Sequence, residues 1–296
     1  MAIYLHDFTF LSSNDEDRII GNEYRTCFNS FYPCRIFPQK GLGRLEFDHM
    51  TILYGGNGSG KSTALNIMAA KLGLLRDIPF RPTVFFDRYV ERTDYNDERY
   101  EESKGIPPES RILCSEDVFD KTLSVRASNH DVNRRRDELA QEWSDIRYHG
   151  AGQRRMTTLH GPEYEDYKRT QRMLKNSMSS MIRAEVGFNV ITGSNGENSF
   201  DFFLEKIKPD ALYLLDEPED SLSAKWQVKL ASYLEGMARF ERCQFVIATH
   251  SPFLLGIRSA KIYDLDSEGV PVRKWTELEN VREYYDFFQS RKAEFE

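Results

Sequence analysis

Apolar positions along this chain fall into short solid runs, separated by longer stretches with a helical period. Met50–Tyr54, Leu212–Leu215 and Phe245–Ala248 are apolar almost throughout. Runs of that length without alternation predict strands buried on both faces, as in a parallel sheet. Between the second and third, Ala224–Phe240 sets Trp226, Leu230, Tyr233, Leu234 and Met237 on one side of a helix. Ile262–Leu265 and Val270–Val272 predict a late hairpin, and a terminal helix is expected from Leu278.

Upstream the pattern is shorter in range. The segment before Tyr54 reads as β-rich, with Ile3-Tyr4-Leu5, Thr9-Phe10-Leu11 and an alternating Arg44-Leu45-Glu46-Phe47. Thr83–Phe86 and Arg111–Cys114 are expected to be strands, with the polar stretch Asp94–Ser110 between them as a surface excursion. From Val118 to about Val186 the chain is charged and poor in glycine, which predicts two or more helices. Leu174, Met178 and Met181 recur there at helical spacing, a stripe that fits core packing better than a partner groove. The expectation is an α/β fold with a mixed, mostly parallel sheet and helices on both faces. It forms one domain over residues 1–296, with a helical arm inserted at about 118–186.

Composition narrows this picture in three ways. The 296 residues suffice for a substantial core, and no run of about 18 apolar residues predicts a membrane span. Met1–Asp7 lacks a basic segment followed by an apolar one, and the four cysteines show no C-x-x-C spacing. Both point to a reducing, cytoplasmic setting without a zinc or disulfide framework. A net charge of −7 disfavours a protein that coats DNA generally. Local basic runs remain, Arg134-Arg135-Arg136 and Arg154-Arg155, and a solvated helix face accounts for them better than a nucleic-acid site.

The strand at Met50–Tyr54 leads into Gly55-Gly56-Asn57-Gly58-Ser59-Gly60-Lys61-Ser62-Thr63 and then an apolar helical stretch. Gly55, Gly60, Lys61 and Ser62 fill G-x-x-x-x-G-K-S in the strand–loop–helix context that the motif requires. Glycines allow backbone N–H groups to turn inward around phosphates, and the helix N-terminus adds its dipole. Gly55, Asn57, Gly58, Ser59, Gly60, Lys61, Ser62 and Thr63 are therefore the candidate nucleotide-binding residues. Lys61 is expected at the β- and γ-phosphates and the Ser62 hydroxyl on Mg²⁺.

Two further strands end in reactive side chains. Leu212–Leu215 runs into Asp216-Glu217-Pro218-Glu219, and a parallel sheet delivers such carboxylates to the crevice at its C-terminal edge. Asp216 is the candidate second metal ligand, directly or through water, and Glu217 the group that polarises the attacking water. Phe245–Ala248 runs into Thr249-His250-Ser251, where His250 is placed to donate to a γ-phosphate oxygen.

Together, Gly-x-Asn-Gly-Ser-Gly-Lys-Ser-Thr, Leu-Leu-Asp-Glu-Pro-Glu and Ala-Thr-His-Ser-Pro resemble the ABC-type ATPases. The branch is the one that includes structural-maintenance-of-chromosomes and recombination-repair ATPases, and small stand-alone ATPases of the AAA type. That resemblance implies ATP and Mg²⁺ as cofactors, and a head-to-tail homodimer with two composite sites. It also implies that Gly193-Ser194-Asn195-Gly196-Glu197 stands where the family has its signature motif. Ser194 and Gly196 would then close on the γ-phosphate held by the opposite subunit, and Glu219–Leu222 would face that subunit. The family's metal-sensing glutamine has no counterpart, because no glutamine occurs between Thr63 and Ala140. Ser115-Glu116-Asp117 is the nearest substitute, and Tyr32 and Phe28 are the candidate adenine-stacking rings.

The resulting expectation is an ATPase whose nucleotide-driven dimerisation works on a DNA or protein partner through the arm. A nucleotide-regulated clamp on nucleic acid, drawing on the arginine runs, is the alternative. A transporter's ATP-binding subunit fits less well, since such subunits usually carry Leu-Ser-Gly-Gly-Gln. A small-molecule kinase lacks a recognisable acceptor site.

Overall fold

The computed structural model describes residues 2–23, 27–28, 30–80, 82–97, 105–148, 162–188 and 195–295. The chain opens with β1 (Asp7–Thr9), α1 (Ser13–Gly21), β2 (Arg44–Glu46), β3 (Met50–Tyr54) and α2 (Lys61–Leu72). It continues through α3 (Val84–Arg92), β4 (Asp94–Asn96), β5 (Arg111–Cys114), α4 (Ser115–Tyr148), α5 (Pro162–Lys175) and α6 (Met178–Glu185). The last part holds α7 (Asn195–Lys206), β6 (Leu212–Asp216), α8 (Ala224–Phe240), β7 (Gln244–Thr249) and the short α9 (Pro252–Leu255). The hairpin β8 (Lys261–Asp264) and β9 (Val272–Arg273) and the helix α10 (Glu279–Ser290) follow. Tertiary contacts divide the chain into residues 1–119 with 194–296, and residues 120–193.

The larger unit is organised by a six-stranded sheet in the order β5-β6-β7-β3-β8-β9. All neighbours are parallel except β8 and β9, the hairpin. Alternate side chains of its strands feed two separate cores. Leu53, Leu212, Leu214, Val246 and Ala248 join the core that includes Leu65 and Met68 of α2. Ile52, Tyr213, Leu215, Phe245 and Ile247 point to the opposite core, with Phe202 and Phe203 of α7 and Leu230 and Leu234 of α8. Period-2 alternation between two covered faces explains why these strands read as continuous apolar runs.

A second, three-stranded antiparallel sheet, β2-β1-β4, lies within the same unit. Here the sequence reading needs correction. Only Thr9 of the expected strand Thr9-Phe10-Leu11 is in β1, Ile3-Tyr4-Leu5 forms no strand, and residues 13–21 are helical. Ser12 caps that helix by accepting from Asp15 N, so the polar run after Leu11 is a helix start in a segment expected to be β-rich. Thr83–Phe86 is not a strand either. Thr83 is the N-cap of α3, accepting from Phe86 N at 3.1 Å. Phe85, Phe86 and Tyr89 then bury one helix face, a 3.6 period too short in sequence to be told from a strand. The stretch expected as a surface excursion from Asp94 begins with β4, paired to β1.

In the smaller unit, Leu139, Trp143 and Ile146 of α4 pack with Met173 of α5 and Met181 of α6. Leu174 and Met178 border this cluster, so the methionine stripe is core. Trp143 Nε1 donates to the Asn176 carbonyl at 3.1 Å, which satisfies the polar tip of an otherwise buried ring. Among the described residues no helix is long and apolar enough to cross a membrane.

Candidate active site at the strand ends

Parallel pairing aligns the C-terminal ends of the central strands. Tyr54 stands opposite Thr249 on one side and Asp264 on the other, and Asp216 stands opposite Ala248. The loop after β3, the carboxylates after β6 and the histidine after β7 are therefore brought to one edge by backbone register alone.

The loop turns on its glycines. Gly58 and Gly60 have φ of 80° and 96°, left-handed values that side-chain-bearing residues avoid. A Cβ on Gly60 would also come within 2.9 Å of Ile36 Cγ2. Lys61 is buried, 4% exposed, and its ammonium donates to the carbonyls of Gly55 at 2.8 Å and Gly56 at 3.1 Å. It also lies 3.4 Å from Glu217 Oε1. The Ser59 hydroxyl is buried without a hydrogen-bond partner.

Ser62 Oγ donates to Asp216 Oδ1 at 3.0 Å. Burial pushes the Asp216 carboxyl up to about 7, against the Ser62 hydrogen bond, which lowers it. Burial outweighs the pull of the nearby Lys61 charge on this carboxylate, and the pair presents two hard oxygen donors of the kind Mg²⁺ takes. The residues present thus fit a divalent cation. Glu217 sits at φ 46°, an uncommon conformation for a residue with a Cβ. Its N–H donates to the Ala248 carbonyl at 2.9 Å, which holds it in that conformation.

His250 is half-exposed, with Nδ1 turned inward, 4.0 Å from Glu217 Oε1 and 3.6 Å from Glu219 Oε1. Lys61, Ser62, Asp216, Glu217 and His250 therefore form one cluster. Ser194 lies outside the described residues, and Gly196 sits in the first turn of α7. A Cβ there would meet Trp226 Cδ1 at 2.7 Å, so close packing on α8 already requires a glycine.

Of the two candidate rings, Tyr32 is joined to the loop helix. Its hydroxyl donates to Thr63 Oγ1 at 3.2 Å while its ring stacks on Phe86. Phe28 packs edge-on against Phe85. Ser115, Glu116 and Asp117 open α4, and Asp117 accepts from the Cys114 amide at 2.7 Å.

The contacts of three residues went unread in the sequence. Asp266 accepts from the Gly56 amide at 2.7 Å, tying the loop to the turn after β8. Asn280 Nδ2 donates to the His250 carbonyl at 2.7 Å, and the Asn280 amide donates to the Tyr54 hydroxyl at 3.3 Å. Glu219 gathers the turn after β7. The available signal was the rule applied to β3, β6 and β7, that a strand in a parallel sheet ends at the crevice, extended to β8.

Residues 199–256 match the profile of a family described as "AAA domain, putative AbiEii toxin, Type IV TA system". The matched segment runs from α7 to α9 and carries Asp216, Glu217, Glu219 and His250. No curated protein matches the chain. Among solved structures, the Smc head domain of Pyrococcus furiosus, bound to the C-terminal domain of ScpA, aligns at 14% identity. The alignment covers 84% of this chain and 95% of that one, with a TM-score of 0.38. The SMC head domain of Thermotoga maritima aligns at 13% identity over 92% and 99%, with a TM-score of 0.37. A component of an ABC transporter complex from Clostridium perfringens aligns at 17% identity over 86% and 90%, with a TM-score of 0.36. Likeness at this level says nothing of what the chain acts on. The loop, the carboxylate strand and the strand ends of the matched segment lie on one edge of a parallel α/β sheet, the arrangement of a P-loop NTPase fold.

Proposed function

We propose that the protein binds ATP with Mg²⁺ and hydrolyses it, and that nucleotide joins two copies of the chain to move a partner. The observation that carries this is the meeting of Ser62 and Asp216 at 3.0 Å, beside a buried Lys61 and a Glu217 held 3.4 Å from it. Ser62 and Asp216 would hold Mg²⁺, which neutralises phosphate charge when bound. Lys61 carries a positive charge in a buried, preorganised position, where it is worth more than in water. Glu217 orients the attacking water and accepts its proton, and the loop amides with His250 stabilise charge on the transferred phosphoryl group.

Ser194 and Gly196 would complete the site of the opposite copy, by the family resemblance alone. The nucleic-acid clamp reading draws less support. Arg134 and Arg135 pair with Asp131 at 3.2 Å and Glu138 at 3.1 Å, and Arg136 donates to the Gly187 carbonyl at 2.9 Å. Arg154 and Arg155 lie outside the described residues.

The test is the Glu217→Gln protein, followed by light scattering with and without MgATP, beside a hydrolysis assay of both forms. The expected result is nucleotide binding that survives the substitution, hydrolysis lowered about 10²- to 10⁴-fold, and a doubling of mass with MgATP. Wild-type hydrolysis by the variant would overturn the role of Glu217. A mass indifferent to ATP would overturn the dimer.

A further inference from the structure

Glu219 has no part in the phosphate chemistry just described, yet it organises the segment that carries His250. We propose that Glu219 is the positioning residue for His250, fixing both its backbone and the edge that its ring presents. The proposal rests on the ATP-hydrolysis reading for its kinetic consequences, though not for its geometry.

Glu219 is 4% exposed. One of its oxygens, Oε1, accepts from the Thr249 hydroxyl, from the His250 amide at 3.0 Å and from the Ser251 amide at 3.1 Å. Three donors from consecutive residues on a single oxygen define the course of the turn after β7. The same oxygen lies 3.6 Å from His250 Nδ1, so carboxylate and ring nitrogen face each other across the turn. Among the described residues, His250 Nδ1 is buried and without a hydrogen bond, as is the second Glu219 oxygen. An acceptor oxygen at that distance favours the ring edge bearing Nδ1 facing inward, which leaves the opposite edge of a half-exposed side chain for solvent or substrate.

The other end of His250 is held independently. Its carbonyl accepts from Asn280 Nδ2 at 2.7 Å, and Asn280 itself is bonded to the Tyr54 hydroxyl at the end of β3. Ser251 is braced in turn by its hydroxyl, which donates to Gln227 Oε1 of α8 at 2.7 Å. Glu219 is too enclosed to touch substrate. It acts through His250, and its loss should displace the ring while leaving the phosphate loop in place. Misplacement by about 1 Å is enough to lower turnover about a hundredfold.

The experiment uses the full chain, with two readouts. One is kcat and KM for ATP. The other is the imidazole ¹⁵N spectrum of the nucleotide-free protein, with the His250 signals identified by their loss in His250→Gln. Glu219→Ala is expected to shift the His250 resonances and lower kcat about a hundredfold, with KM moving less than about threefold. Glu219→Gln, which retains an oxygen acceptor for the three donors, is expected to restore most of the turnover. The Glu219→Ala, His250→Gln double variant is expected to be no slower than His250→Gln alone.

Additive losses in the double variant would overturn the proposal, as would unmoved His250 resonances in Glu219→Ala. Should Glu219→Ala fail to fold, Glu219→Met, which fills similar space without an acceptor for the three donors, decides, and unchanged His250 signals in it would overturn the proposal. If the wild-type protein hydrolyses no ATP, the functional reading fails, while the spectra still decide whether Glu219 places His250.

Discussion

Ser62 Oγ and Asp216 Oδ1 lie 3.0 Å apart, although 154 positions separate them in the chain. The contact joins the first turn of α2, the helix after β3, to the end of β6, with β7 as the strand between β6 and β3 in the sheet. If the pair holds Mg²⁺, Ser62→Ala should raise the Mg²⁺ needed for nucleotide binding about 10- to 100-fold, with little change in melting temperature. A Mg²⁺ titration of fluorescent ATP-analogue binding measures this.

Asp216 also sets a pH dependence. Its folded-state carboxyl is raised to about 7 by burial, above its value in an unfolded chain. The folded metal-free protein therefore holds this proton more tightly than the unfolded one. The stabilisation is fully present below about pH 4 and is lost as pH rises through about 7. Melting temperature without Mg²⁺ should fall more between pH 5 and pH 8 for the wild type than for Asp216→Asn. Parallel curves for the two proteins would refute the assignment.

Gly60→Ala should damage the loop rather than the fold as a whole. The left-handed conformation costs a residue with a Cβ roughly 1–2 kcal/mol. The added carbon also meets Ile36 Cγ2 at 2.9 Å. Nucleotide binding by isothermal calorimetry should be lost, while far-ultraviolet circular dichroism stays near that of the wild type.

Met181→Ala addresses the smaller unit. Met181 is 3% exposed, at the centre of contacts among α4, α5 and α6. Truncation should cost that cluster about 2–5 kcal/mol. Hydrogen exchange should speed up in those three helices, while β3, β6 and β7 keep their protection. Uniformly faster exchange in both units would show that they unfold as one.

Legibility in the sequence followed the strength of the local signal. β6, α8 and β7 were readable because each buries an unbroken or strictly periodic set of apolar side chains. Thr83–Phe86 was misread because three consecutive apolar residues suit either period. What decides for helix is the Thr83 cap and the burial of Tyr89, one turn further on. Residues 13–21 were missed for the opposite reason, since only Ile19 and Glu16 of that helix are buried.

The candidate site divides along the same line. Gly60, Lys61, Ser62, Asp216, Glu217 and His250 were nameable from sequence alone, because phosphate and metal chemistry demands particular residue types at fixed short spacings. Their convergence on one edge was also implied, since parallel strands all point their C-terminal ends the same way. The tertiary structure alone decided the contacts that hold them: Asp266 on the Gly56 amide, Asn280 on His250, and Glu219 beneath the turn after β7. A single carboxylate in a turn, or a single amide in the first turn of a helix, has no period or spacing to betray it. Its partner is chosen by the packing of helices and strand ends that are distant in sequence, and that choice exists only once the chain has folded.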